Sequence, residues 1–180
     1  GMGSANQLLG DVTGDGRADA IAFFSGTGNW WVSPSGGAQF GAYSQWKSAH
    51  GIGSTSQHVA DVTGDGRADA VVFFASGGNF WVAPSSGSAF SAYSLWKSGY
   101  GIGSTQQLLV DVSGDGRADA LVGFSKSGSY VVALSSGTGF GSEARWISGY
   151  GTALLSGLNQ VLVGDGNGDG RADLLLRWRK

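Results

Sequence analysis

The sequence predicts an all-β fold, a β-propeller built from four-stranded antiparallel blades, and three observations predict it. The stretch DVTGDGRADA at 11–20 returns unchanged at 61–70, as DVSGDGRADA at 111–120 and as DGNGDGRADL at 165–174. These acidic loops begin at Asp11, Asp61, Asp111 and Asp165, spaced 50, 50 and 54 residues apart, so one structural unit repeats along the chain. Within each period the apolar segments are short, rich in aromatic and β-branched residues, and separated by Gly, Ser and Asn turns. No stretch carries helical periodicity.

Taken in order, the first unit holds strands near 7–10, 20–25, 29–33 and 40–47. The acidic loop joins the first two, and Gly-containing turns join the rest. The second strand, AIAFF or AVVFF, is apolar at nearly every position, so both of its faces are expected to be buried between neighbouring sheets. The agreement continues past the strands: AYSQWKSAHGIGSTSQ (42–57) matches AYSLWKSGYGIGSTQQ (92–107), and ARWISGYGTALL (144–155) is a looser third copy. A β-solenoid is the rival architecture. Its coils have shorter periods and parallel strands, whereas the tight turns here demand antiparallel neighbours, and four-stranded units of this length stacked around an axis describe a propeller.

Three complete units and the two strand-like segments NQVLVGD and LLLRWRK make three and a half blades. Uncovered edge strands invite pairing with another chain, so either association into a closed ring, a homodimer above all, or a cut from a longer natural chain is expected. Residues 1–4, Gly-Met-Gly-Ser, read as a remnant of cloning, leaving 5–180 as propeller repeats.

Composition bounds the function. With 41% apolar residues the chain can bury a core, and 34 glycines without a three-residue period, beside only two prolines, exclude collagen. A net charge of −2 with no basic run argues against nucleic acid or an anionic membrane surface as partner. No apolar run approaches the roughly 20 residues a spanning helix needs. The absence of cysteine excludes disulfides and thiolate metal sites.

All twelve aspartates lie in the four loops, and Glu143 is the only other acidic residue. Three carboxylates within nine residues repel one another unless a cation or several donors neutralise them. Asp11, Thr13, Asp15, the Arg17 carbonyl and Asp19 set oxygen donors at positions 1, 3, 5, 7 and 9, and Gly16 supplies the freedom to curl around an ion. Position 12, where an EF-hand carries its bidentate Glu, is Ala22, Val72, Val122 and Leu176 in the four copies, which excludes that motif. Calcium is favoured over magnesium because a flexible carboxylate site suits six to eight ligands. The competing reading is a set of Asx-turns, the aspartates capping backbone amides and pairing with Arg17, Arg67, Arg117 and Arg171.

The motif D-x-[T/S/N]-x-D-G-x-x-D, repeated between strands, resembles the calcium loop of FG-GAP/VCBS-type propeller repeats, found in integrin α-subunit heads and many secreted microbial proteins. The resemblance covers essentially the whole chain and implies structural Ca²⁺, up to four per chain. Its ligands map onto Asp11, Thr13, Asp15, Arg17 and Asp19; onto Asp61, Thr63, Asp65, Arg67 and Asp69; onto Asp111, Ser113, Asp115, Arg117 and Asp119; and onto Asp165, Asn167, Asp169, Arg171 and Asp173, each Arg through its carbonyl. The family more often has Asn or Asp at the third position, as only Asn167 does here. The resemblance also implies a secreted or cell-surface protein.

Enzymatic activity is not expected, since the loops hold no His or Glu and neither His50 nor His58 recurs in the other repeats. A binding module is the better class. Trp46, Trp96 and Trp146 recur, each followed four residues later by His50, Tyr100 or Tyr150 beside Gly. Aromatic rings on Gly-rich loops suit stacking on the apolar face of a sugar, and near-identical copies would bind multivalently. The pattern is similar to fungal and bacterial propeller lectins, a resemblance that implies sugar sites between blades. Two readings compete: these tryptophans pack between blades while His and Tyr cap turns, or the propeller is an integrin-like protein-binding module. Trp30, Trp31 and Trp81 read as core.

Overall fold

A computed structural model describes residues 5–150 and 158–178. Residues 1–4 and the 151–157 part of the third aromatic copy lie outside the described residues. Fourteen strands run in chain order: β1 Ala5–Gly10, β2 Asp19–Phe24, β3 Asn29–Ser33, β4 Ser44–Lys47, β5 Ser56–Ala60, β6 Asp69–Phe74, β7 Asn79–Ala83, β8 Ser94–Lys97, β9 Gln106–Val110, β10 Asp119–Phe124, β11 Ser129–Ser135, β12 Phe140–Ile147, β13 Leu158–Gly164 and β14 Asp173–Trp178. They form three four-stranded antiparallel meanders, β1–β4, β5–β8 and β9–β12, and a two-stranded sheet, β13–β14. These are blades 1 to 3 and half of a fourth, the architecture the repeat arithmetic predicts.

Each acidic loop closes a hairpin between the first two strands of its blade, with Gly10 opposite Asp19 and Ala60 opposite Asp69. The fourth strand is shorter than expected in blades 1 and 2. Residues 41–43 and 91–93 leave the ladder after the isolated bridges Ser35–Phe40 and Ser85–Phe90, and only in blade 3 is the strand continuous from Phe140. Each β3–β4-type pair also carries a register shift at its inner end, a bulge of the kind that turns an edge strand.

The core lies between blades. Val12, Ile21, Phe23, Trp30, Val32 and Trp46 of blade 1 pack on Ala68, Ala70, Val72, Ala83 and Phe90 of blade 2. The same positions fifty residues on join blade 2 to blade 3, and Leu121, Tyr130 and Val132 meet Val161 and Leu174 of the half-blade. The donating face is large and the receiving face small, so the two interdigitate. β6 and β10 are buried on both faces, as their sequences predict, but β2 alternates buried with half-buried residues. The physical reason is position, because among the described residues no sheet lies over the receiving face of blade 1. Among the described residues no helix is long and apolar enough to cross a membrane.

Candidate functional site: acidic loops and grooves between blades

The first aspartate of each loop curls the backbone around itself. Asp11 Oδ1 accepts hydrogen bonds from Gly14 N at 2.7 Å and Asp15 N at 3.1 Å, and Oδ2 accepts from Gly16 N at 2.6 Å. Gly14 and Gly16 adopt φ of +82° and +83°, which only glycine takes without strain. Burial pushes the Asp11 and Asp111 carboxyls up, but the amides of the glycines and of the central aspartate outweigh it and hold both below the ordinary range. The last aspartate is a buried brace. Asp19 accepts from Val12 N, Thr13 N and Ser35 N, and Asp69 and Asp119 repeat this set. Burial raises the Asp69 carboxyl to about 6 against the pull of those amides.

The central aspartate pairs with the arginine two residues on, Asp15 with Arg17, Asp65 with Arg67 and Asp115 with Arg117. Thr13, Thr63 and Ser113 turn their hydroxyls onto the first aspartate at 3.2–3.3 Å. In the fourth loop Asp165 caps Gly168, Asp169 and Gly170, Asp173 accepts from Gly166 N, and Asn167 bonds Asp169. Three carboxylates, a hydroxyl or amide and a carbonyl make a donor set whose chemistry fits a hard cation. Among the described residues, however, no three acidic or imidazole side chains converge on one point. A cation in these loops would draw the central aspartate away from its arginine.

Successive loops are clasped together. Ala68 N donates to Asp11 O at 2.7 Å, Ala118 N to Asp61 O at 2.7 Å and Ala172 N to Asp111 O at 2.8 Å. Ser85 Oγ and Ser135 Oγ donate to the carbonyls of Val12 and Val62 at 2.6 Å. The loop ring therefore binds blade to blade.

On the outer part of the blades the structure corrects the expected stacking surface. Trp46 and Trp96 are 7% and 8% exposed, each covered by the next blade's phenylalanine, Phe90 or Phe140. Neither ring offers a face to a sugar. Trp146 is 52% exposed, since the half-blade has no outer strands to cover it. His50 and Tyr100 are buried, yet both contribute to grooves at the blade junctions. Tyr100 Oη lies 2.8 Å from Ala120 O and 2.6 Å from Val131 O, sharing its proton between them, and His50 Nε2 faces Ala70 O at 3.4 Å. Tyr150 is half-buried, edge-on to Tyr130, and donates to Leu174 O at 3.0 Å.

The groove between blades 1 and 2, about 350 Å³, is lined by His50, Ile52, Phe74, Asn79, Trp81 and Tyr93 among others. Trp81 and Tyr93 meet edge to face at 5.8 Å, and Tyr93 stacks on His50 at 5.0 Å. Asn79 Oδ1 is buried without a hydrogen-bond partner. The equivalent groove between blades 2 and 3 is about 590 Å³ and replaces Asn79, Trp81 and Tyr93 with Ser129, Val131 and Glu143, with Arg145 alongside. Tyr93, Asn79 and Trp81 are the residues that motif reading missed. Trp81, expected in the core, follows the buried Phe80 in β7, and strand alternation turns it to the other face. The repeated tripeptide AYS at 42–44 and 92–94, replaced by SEA at 142–144, is the signal that marks Tyr93.

No curated protein sequence matches the chain. Among solved structures it is similar to a lectin from Agrocybe aegerita, studied for its recognition of non-reducing terminal N-acetylglucosamine, with a TM-score of 0.74 and 28% identity over 94% of this chain and 46% of the lectin. The chain thus spans about half the length of that lectin. A part of the Photorhabdus luminescens Tc holotoxin shares the fold, with a TM-score of 0.64 and 20% identity over 94% of this chain and 8% of the toxin chain. The profile of the FG-GAP-like repeat matches residues 11–72 and 111–176, and the chain belongs to that family of β-propeller repeats.

Proposed function

We propose that the chain is a non-catalytic, calcium-stabilised propeller module that binds carbohydrate, with its principal site in the aromatic groove between blades 1 and 2. The observation that carries this reading is the aromatic wall of that groove, Trp81 edge to face with Tyr93 and Tyr93 stacked on His50, with the amide side chain of Asn79 beside it. A wall of rings with one amide suits a ligand that is apolar on one face and polar at its edge. A sugar ring supplies both requirements, an apolar C–H face for Tyr93 and an O–H or acetamido N–H for Asn79. The likeness to the N-acetylglucosamine lectin supports the same class and suggests the first sugar to test.

The groove lining holds one imidazole and no carboxylate, which suits holding a sugar and offers no acid–base pair for cleaving one. The junction of blades 2 and 3 lacks the Trp–Tyr rim, so among the described residues the aromatic groove between blades 1 and 2 is the principal site, and multivalency comes from copies of the chain. Calcium, held by the aspartates at positions 1, 5 and 9 with the third-position side chain and the arginine carbonyl, would fix the loops that clasp the blades. The test is capture on N-acetylglucosamine resin with elution by free sugar. Capture is expected to be lost in Tyr93→Ala and weakened about tenfold in Asn79→Ala, the equivalent of one hydrogen bond of about 1.4 kcal/mol. A chain that ignores the resin but is retained by immobilised protein would replace this reading with the adhesion module.

A further inference from the structure

We infer that the receiving face of blade 1 is an assembly surface, and that the half-blade β13–β14 of a second copy of this chain occupies it, two such contacts closing a dimeric ring. The inference is independent of the ligand. It rests on a contact that the chain repeats internally and leaves unmatched at both ends.

At the blade 1 end the uncovered surface is a groove of about 740 Å³ lined by Leu9, Ala20, Ala22, Phe24, Trp31 and Tyr43 among others. Leu9 is 67% exposed, whereas its counterparts Val59 and Leu109 pack into the cores between blades. Ala22 is half-buried where Val72 and Val122 are fully buried beneath the preceding blade. At the other end, Leu162 and Leu175 are 45% and 47% exposed. They stand at the positions of Leu108 and Leu121, which face the following sheet in blade 3. One surface is a receiving face without a donor, and the other is a donating face without a receiver.

The polar clasp has the same two loose ends. Ala68, Ala118 and Ala172 each donate to the first aspartate's carbonyl in the preceding loop, so Ala18 N–H and the Asp165 carbonyl are the donor and acceptor left over. Ser85 and Ser135 each reach back to a carbonyl of the preceding loop, so Ser35 Oγ and the Gly166 carbonyl are a second such pair. Arginine makes the third. A Cβ on Gly14, Gly64 or Gly114 would meet the next loop's arginine Cγ at 2.8, 2.8 and 3.0 Å, while one on Gly168 would meet nothing within 4 Å. The space above Gly168 is the one Arg17 of another copy would fill. Apolar face, amide donor, hydroxyl and guanidinium are all complementary in the same head-to-tail sense.

Head-to-tail contacts close when the rotation per copy permits it and otherwise propagate. Each copy spans 46% of the similar lectin, so two supply about the length of that single chain. The outer strands absent from the half-blade leave Phe40 and Trp146 uncovered in either state.

The test combines mass with a cross-link. A Cβ on Gly10 would lie 3.5 Å from Val59 Cβ, close to the ~3.8 Å of a disulfide, and the equivalent pair across the proposed contact is Gly164 of one copy and Leu9 of the other. On mild oxidation the variant carrying Leu9→Cys and Gly164→Cys is expected to run as a single species of two chains on non-reducing gels. The unmodified chain should show about twice its 18.3 kDa by light scattering, Leu175→Asp should reduce it to monomer with an unchanged circular-dichroism spectrum, and Trp146→Ala should leave it dimeric. Monomer at every concentration with no cross-link, or a ladder of ever larger species, would overturn the proposal.

Discussion

At the scale of single residues, the chain separates groups that serve the fold from groups that serve the groove. His50 belongs to the first kind. It lies between Trp30 and Tyr93 with its ring nitrogen facing Ala70 O, and burial lowers its pKa to about 4 from an ordinary 6.5. The sign follows from linkage: the unfolded chain takes up a proton below pH 6.5 that the folded chain refuses, so this histidine costs stability as pH falls from 6.5 to 4. The cost is about 1.4 kcal/mol per pH unit across that window. Tyr100, its counterpart, has no such liability and hydrogen-bonds Ala120 O at 2.8 Å. His50→Tyr is therefore expected to gain stability over the parent as pH drops through this window, read as the difference between two urea-denaturation series. The raised carboxyls of Asp69 and Asp119 are common to both proteins and cancel. Asn79 belongs to the second kind: Asn79→Ala should raise the unliganded melting temperature, because it removes a buried acceptor without a partner, while weakening sugar binding, because it removes an amide from the groove lining.

At the scale of strands and loops, the tryptophan at one repeat position is buried twice, as Trp46 and Trp96, and exposed once, as Trp146. Trp96→Ala is expected to cost about 3–5 kcal/mol, since the ring is buried against Phe140. Trp146→Ala should cost under about 1 kcal/mol, because its ring is half exposed and no phenylalanine covers it among the described residues; chemical denaturation of the two variants checks both. This difference shows what sequence could reveal. Strand type, order and number were legible because turn residues and β-branched runs are local signals, and the third strand at 29–33 matches β3. Burial between blades was legible for the second strands but not for the tryptophans. Trp46 and Trp96 left two readings open, sugar stacking and packing between blades, because nothing local reveals that Phe90 and Phe140, 44 residues further on, cover them. The groove was half legible. His50 was identified and lines it, as Tyr100 lines the groove between blades 2 and 3, but Asn79 and Trp81 sit inside an apolar strand whose alternation sends one residue inward and the next to the junction.

At the scale of the whole molecule, the acidic loops, the blade cores and the grooves are parts of one contact repeated along the chain. A cation in the loops would stabilise all the clasps together. At a concentration a hundredfold above Kd, each independent site adds about 2.7 kcal/mol, equivalent to roughly 5–10 °C for a chain of this size. A thermal melt in calcium and after EDTA is expected to differ by at least that interval, and coincident melts would return the twelve aspartates to amide capping and arginine pairing. The binding claim is tested most directly by isothermal titration of N-acetylglucosamine into the calcium-loaded chain. Saturable heat with one site per chain, abolished by Tyr93→Ala, is the expected result. Absent heat, or heat unchanged in both Tyr93→Ala and Asn79→Ala, would contradict it.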